Sequence, residues 1–201
     1  KMIFSLIYRL LARIEIVGAE NVPQEGPYIV ISNHISSFDP PLVLIALPSR
    51  MTVLAANKYR SHPIFGPFLS SMCAIYVRRG EVDRQALRAC LDVLRGGGIM
   101  GMAPEGTRSP TGGLQEGRTG VAYLASRTGV PILPVAITGT EKMLASLKRF
   151  HRGQMKAVIG ETFTLPVTER KARGKQLKEF TELIMRHLAD MLPEEYRGVY
   201  R

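Results

Sequence analysis

Short apolar runs alternate along this chain with longer stretches in which apolar positions recur at helical spacing. Runs at 13–17, 28–31, 51–55, 74–77, 99–102, 132–137 and 155–159 are β-branched or otherwise apolar and bounded by Gly, Pro, Ser or Asn, which predicts strands. Stretches at 3–11, 41–47, 63–71, 82–94, 119–128 and 174–192 carry the helical pattern. In the fourth of these, Val82, Ala86, Ala89, Cys90 and Val93 fall on one face, Arg84, Arg88 and Arg95 face away, and Gly96-Gly97-Gly98 stops the helix. The alternation predicts one layered α/β domain over 13–201, with a mostly parallel central sheet flanked by helices. Functional groups in such sheets gather beyond the C-terminal ends of the strands.

Residues 1–12 read differently. The segment KMIFSLIYRLLARIEIV is densely apolar but carries Lys1, Arg9 and Arg13. A basic apolar helix of this kind suits the membrane interface, and it equally suits packing on the sheet. No stretch reaches the roughly 18 uninterrupted apolar residues of a spanning helix, and no small-residue cleavage site follows the segment. The chain opens on Lys1 rather than Met, as a fragment would, which leaves room for a membrane segment upstream.

The net charge of +10 calls for an anionic partner or surface. With no tryptophan, few aromatics and no RNP-like or zinc-finger spacing, nucleic acid is not the expected partner and anionic lipid headgroups are. Cys73 and Cys90 form no CxxC pair and are expected to be buried small apolar residues in a reducing compartment. None of the four histidines, His34, His62, His151 and His187, forms a paired ligand spacing, so neither a metal nor a cofactor is expected.

The predicted strand 28–31 runs into Ser32-Asn33-His34, with Asp39 five residues beyond His34 and Pro40-Pro41 following. Residues five apart do not meet on a helix, so contact between His34 and Asp39 requires a turn, for which Ser36-Ser37 are suited. Asp39 before Pro40 reads as an N-cap opening a helix. A carboxylate on one ring nitrogen fixes the tautomer and leaves the other free to take a proton. The same residues also suit a histidine that satisfies a strand end and an aspartate that merely caps. Strand 51–55 runs into Lys58, strand 74–77 into Arg78-Arg79, and strand 99–102 into Glu105, Gly106, Thr107 and Arg108. If strand order unites these ends, one cleft holds His34, Asp39, Lys58, Arg79, Glu105 and Arg108. That is a base among cations, suited to a hydroxyl beside a phosphate.

Four blocks in order then resemble the glycerolipid acyltransferases, the group containing 1-acylglycerol-3-phosphate acyltransferase. They are Asn33-His34 with Asp39 as a His-x4-Asp motif, Ala74-Ile75-Tyr76-Val77-Arg78-Arg79, Pro104-Glu105-Gly106-Thr107-Arg108-Ser109, and Val130-Pro131-Ile132-Leu133-Pro134-Val135. Lys58 falls where that family commonly carries a lysine. Arg78 stands where it often has an acid, Met102-Ala103 replaces a Phe-Pro run, and Gly117-Arg118-Thr119-Gly120 replaces Phe-Lys-x-Gly, keeping the cation and losing the aromatic.

The resemblance implies acyl transfer from acyl-CoA or acyl-carrier protein to a lysophospholipid hydroxyl, with glycerol-3-phosphate or another lysolipid as alternative acceptors, at a cytoplasmic membrane face. His34 would be the base and Asp39 its orienting partner. Lys58 would stabilise the oxyanion, and Arg79 and Arg108 would hold the acceptor phosphate. Gly106 would allow a tight turn and Thr107 would add a phosphate hydrogen bond. Glu105 would bind an acceptor hydroxyl or pair with an arginine. Pro131 and Pro134 would shape a sheet edge and the acyl groove. A metal-dependent hydrolase and a noncatalytic membrane-surface module are the competing classes.

Overall fold

The computed structural model describes residues 2–47, 50–63, 65–78, 83–166 and 172–201. Helix α1 (Met2–Leu11) leads into β1 (Ala12–Val17), followed by β2 (Tyr28–Ser32), α2 (Asp39–Ala46), β3 (Thr52–Ala56), α3 (Phe65–Ser71), β4 (Ile75–Val77), α4 (Arg84–Arg95) and β5 (Ile99–Met102). The second half runs α5 (Gly120–Thr128), β6 (Ile132–Thr138), α6 (Met143–Lys148), β7 (Gly153–Ile159) and α7 (Lys175–Asp190). The strands form one seven-stranded sheet in the order β1-β7-β6-β2-β5-β3-β4. Every described pairing is parallel except β6 with β7, where Val135 lies opposite Ile159 and Thr138 opposite Lys156.

Helices cover both faces, which is why β2 and β6 are apolar throughout rather than alternating. From β2, Ile29 and Ile31 join Ile132, Met100 and the inner faces of α4, α5 and α7. Tyr28 and Val30 point the other way, to Leu133, Val135, Ile137 and the residues of α1, α2 and α6. Each fully buried Ile or Leu contributes about 1.5–3 kcal/mol relative to an exposed one, so the central strands anchor the fold. On α4 the core face is Ala86, Cys90, Leu91 and Leu94, with the side chain of Asp83 capping the first turn by accepting from Ala86 N–H at 3.0 Å.

The predicted elements agree with these to within a few residues, apart from α6, which the pattern did not announce. Three expectations need correction. Asp39 is not an N-cap: Phe38 holds that position, and the Asp39 carboxylate folds back over the preceding loop. Pro134 does not shape a sheet edge, because β6 lies between β7 and β2. Its missing N–H falls on the β7 side just past the end of that ladder, where its carbonyl still accepts from Gly160 N–H at 2.9 Å, so proline is tolerated inside the sheet. Of the two cysteines, Cys90 is buried but Cys73 is exposed, in a turn where it adopts φ 50°. Arg79, Lys1 and the expected helix start at Val82 lie outside the described residues.

The parallel pairings put the C-terminal ends of β2, β3, β4, β5 and β6 on one edge of the sheet. Because β7 runs antiparallel to β6, and β1 parallel to β7, the N-terminal starts of β1 and β7 lie on that same edge.

Candidate active site

At the end of β2, Asn33 continues the ladder with its side chain. Its amide donates to the Ile137 carbonyl at 2.8 Å and its oxygen accepts from Ile137 N–H at 2.7 Å. This buried amide, paired at both its nitrogen and its oxygen, locks β2 to β6 immediately before His34. The backbone of His34 is then held from both sides: its N–H donates to Glu105 Oε1 at 2.9 Å, and its carbonyl accepts from Ser109 N–H at 2.7 Å. The turn 34–39 closes on Asp39, whose Oδ2 accepts from Ile35 N–H and Ser36 N–H, each at 2.7 Å, and from His34 Nδ1 at 2.8 Å. Thr140, at the end of β6, donates its hydroxyl to Asp39 Oδ1.

Asp39 is 2% exposed. A buried carboxylate needs such donors to be tolerated, and these supply them from four groups. The His34 ring, 23% exposed, has Nδ1 against this carboxylate, a contact that favours the Nδ1–H tautomer of a neutral imidazole and leaves Nε2 as its acceptor, and it lines the groove. That is the geometry of a general base with an orienting partner.

The groove has a volume of about 1220 Å³ and runs along the C-terminal edge of the sheet. Ordinary small-molecule pockets hold roughly 300–1,000 Å³, so this one has room for an extended ligand. Its apolar lining includes Leu54 from β3, Phe65, Phe68 and Leu69 from α3, and Leu87 from α4. Among the described residues, Lys58, Arg78, Arg108, Arg118 and Lys178 bring five cations to it, against three acids, Asp83, Glu116 and Glu182. An apolar wall with a cationic majority suits a ligand with a hydrocarbon part and an anionic part.

The structure brings His34, Lys58, Gly106, Thr107 and Arg108 together on this groove, as the strand-end argument predicted. Arg108 is oriented by donation from Nη1 to Ser37 Oγ at 2.6 Å. Gly106 adopts φ +69°, and a Cβ there would sit 2.6 Å from Arg118 Cδ, so glycine both makes the turn and lets Arg118 lie over it. Asp39 and Glu105 stand behind the groove wall. Glu105 is 2% exposed, and its second oxygen accepts from Gln115 N–H at 3.0 Å. Among the described residues it makes no ion pair with an arginine, and it does not line the groove. It acts through the backbone of His34. Burial raises its pKa, partly offset by the amides of His34 and Gln115.

Thr140 is absent from the sequence reading of the site, and Asn33, Arg78 and Arg118 enter it without the parts the structure gives them. Thr140 and Asn33 act through partners about a hundred residues away in the chain. Arg78 and Arg118 line the groove, although the block match favoured Arg79 and treated Arg118 only as a replacement. Position 117 is glycine because α7 crosses there: a Cβ would meet Met185 Cγ at 2.5 Å and Thr181 Cγ2 at 2.7 Å. The Tyr200 hydroxyl accepts from Gly117 N–H at 3.0 Å, so an aromatic ring lines the groove near this position from the far end of the chain. Among the described residues, no three His, Cys, Asp or Glu side chains converge in a way that could hold a metal ion.

A histidine held by a buried aspartate opens from a parallel α/β sheet onto a part-apolar, part-cationic groove. The chain belongs to the Acyltransferase family, whose model matches residues 13–138. It is 30% identical over 143 residues to the 1-acyl-sn-glycerol-3-phosphate acyltransferase of Borreliella burgdorferi, covering 70% of this chain and 57% of that protein. It is 27% identical over 192 residues to the 1-acyl-sn-glycerol-3-phosphate acyltransferase of Saccharomyces cerevisiae, covering 90% of this chain and 60% of that one. The chain thus spans somewhat more than half the length of these two relatives. Among solved structures, the 1-acyl-sn-glycerophosphate acyltransferase PlsC of Thermotoga maritima superposes with a TM-score of 0.70 at 25% identity, over 90% of this chain and 73% of that one.

Proposed function

We propose that the chain transfers a fatty acyl group from a thioester, acyl-CoA or acyl-carrier protein, to the free hydroxyl of a lysophospholipid. The acceptor we favour is 1-acylglycerol-3-phosphate, giving phosphatidic acid. The observation that carries this reading is the His34 ring, fixed by Asp39 and open at Nε2 onto a groove that is apolar along one lining and mostly cationic among its charged groups. The named activity of the Borreliella and yeast relatives and of the Thermotoga enzyme supports it.

In the proposed reaction, His34 Nε2 removes the acceptor's hydroxyl proton while that oxygen attacks the thioester carbonyl carbon. The carbonyl oxygen becomes an oxyanion, stabilised by Lys58 and nearby backbone amides. Collapse breaks the carbon–sulfur bond, and the departing thiolate takes back the proton from the imidazolium, which Asp39 has stabilised meanwhile. The attacking alcohol belongs to the substrate, so no acyl-enzyme forms. Arg79, Thr107 and Arg108, joined by Arg78 and Arg118, hold the acceptor phosphate, the guanidinium forks matching its oxygens.

Attachment is peripheral or monotopic, at an anionic cytoplasmic face. Among the described residues no helix is long and apolar enough to cross a membrane. In α1, Tyr8 is buried while Leu6 and Leu10 are 62% and 66% exposed, so the helix both docks on the sheet and keeps apolar side chains outside. The test is the purified protein with a panel of lysolipids and glycerol-3-phosphate, each offered labelled acyl-CoA and acyl-carrier protein, with products identified by mass spectrometry. Phosphatidic acid formed from 1-acylglycerol-3-phosphate, lost with His34→Ala, is the expected result. Absence of any acylated product across the panel would overturn the reading.

A further inference from the structure

One exposed aromatic is left unused by the site. Phe150 is fully exposed, at 100%, in the turn between α6 and β7, and it holds φ 57°, a conformation uncommon for a bulky side chain. The exposed residues flanking it are Lys148, Arg149, His151 and Arg152. From 142 to 156 the chain carries Lys142, Lys148, Arg149, Arg152 and Lys156 and no acid. Leu144, six residues before Phe150 in α6, is 56% exposed.

This turn adjoins α1. The Arg152 guanidinium donates to the carbonyls of Arg9 and Ala12, tying the turn to the C-terminal end of the helix. The end of α1 at Arg9 and Ala12 is therefore a neighbour in the fold of a segment some 140 residues away in sequence, and α1 carries the exposed Leu6 and Leu10. Both elements sit at the start of their strands, β1 and β7, and those starts share the sheet edge on which His34 and the groove open.

We infer that the Lys148–Arg152 turn is a second membrane-contact element, with Phe150 inserted among the headgroups of an anionic leaflet and Lys148 and Arg149 at its surface. The inference rests on the membrane attachment proposed above and adds a specific site to it. An apolar side chain ringed by cations complements a surface that is apolar below and negative on top, whereas a fully exposed phenylalanine in water is stabilised by nothing the fold provides. With α1, the turn gives two points of contact on the catalytic edge. That holds the groove mouth against the leaflet, so an acceptor anchored by its acyl chain reaches His34 without leaving the lipid.

The experiment is sedimentation of the full chain with phosphatidylcholine vesicles, with and without phosphatidylglycerol. Phe150→Ser is expected to lower partitioning onto the mixed vesicles about tenfold, the scale of one buried aromatic. Arg149→Glu is expected to lower it about fivefold or more and to flatten its salt dependence. Both variants should turn over a monomeric short-chain lysolipid with a short acyl thioester at the parental rate, which separates seating from chemistry and reports an intact fold. Unchanged partitioning of Phe150→Ser on mixed vesicles, or no binding of the parent chain at all, would overturn the inference and leave the acyl-transfer reading standing. So would self-association, measured by sedimentation velocity, that Phe150→Ser abolishes without altering vesicle binding, since that would assign the turn to a protein contact. Loss of acyl transfer across the substrate panel, with the Phe150 effect on partitioning intact, would overturn the reaction and not the surface.

Discussion

Thr140 donates its hydroxyl to Asp39 across 101 residues of sequence, closing the one carboxylate oxygen that the His34 turn leaves open. With it, the aspartate is immobilised from β6 as well as from its own loop. Thr140 is itself fully buried. We place it as a positioning residue, acting through Asp39. Thr140→Val, nearly isosteric, should lower kcat about tenfold with little change in KM, and Thr140→Ser should restore most of the loss. A purely structural role would lower thermal stability in both variants without separating kcat from KM. Steady-state kinetics with a melting curve for each variant checks the two outcomes.

His34 and Asp39 should divide their effects. His34→Ala removes the base and leaves the backbone contacts to Glu105 and Ser109 in place, so turnover should fall about 10²–10⁴-fold with the fold intact. Asp39→Asn puts an amide where four donors converge, so it should lower turnover less steeply but also destabilise the protein by about 1–3 kcal/mol. Near-normal turnover by His34→Ala, measured after confirming folding by circular dichroism, would rule out the base mechanism.

The two residues illustrate what was legible in the sequence. The partnership of His34 with Asp39 could be reasoned from a five-residue spacing around a serine turn, because both ends lie in one local segment. The strand and helix pattern was equally legible, since a sheet covered on both faces requires apolar runs such as Tyr28-Ile29-Val30-Ile31. The roles of Thr140 and Asn33 were not legible. Each depends on β6 lying beside β2, and no local pattern encodes strand order. For Glu105 the sequence offered an acceptor hydroxyl or a partner within the fold, and its burial between the amides of His34 and Gln115, which no local pattern encodes, favours the structural side. The helix α6 is short and half-exposed, too weakly periodic to announce itself.

Glu105 gives a pH prediction with a definite sign. Burial raises its folded-state pKa above the ordinary value of 4.5. Between the unfolded and folded values the folded state therefore binds more protons, and stability falls as pH rises through that window. Glu105→Gln removes this titration. It also turns an amide NH2 toward one of the two backbone donors, which should cost about 1–3 kcal/mol. The variant should thus be less stable than the parent at pH 4.5, with a deficit that narrows as pH rises toward neutrality. Urea unfolding across pH 4–8 measures it, and a deficit that widens with pH would show that the fold prefers the ionised carboxylate.

The groove cations should separate from the base by kinetic signature. Arg108 is pre-oriented by Ser37, and Arg118 lies over Gly106, so both lie on the groove before substrate arrives. If they hold the acceptor phosphate in ground state and transition state alike, their loss appears in KM, whereas loss of His34 appears in kcat. Arg108→Ala and Arg118→Ala should each raise the acceptor KM about tenfold or more, and Arg79→Ala should do the same if its strand-end position serves the same phosphate. Arg108→Lys should recover only part, because an ammonium keeps the charge but not the fork that binds two oxygens at once. The donor KM should move much less, unless the donor is acyl-CoA and its own phosphates use the same cations. A short acyl thioester without the nucleotide distinguishes the two cases. If the arginine variants leave acceptor KM unchanged and raise only the KM for acyl-CoA, with no effect on the short thioester, the cationic end of the groove binds the donor, and the acceptor must approach His34 from the apolar side.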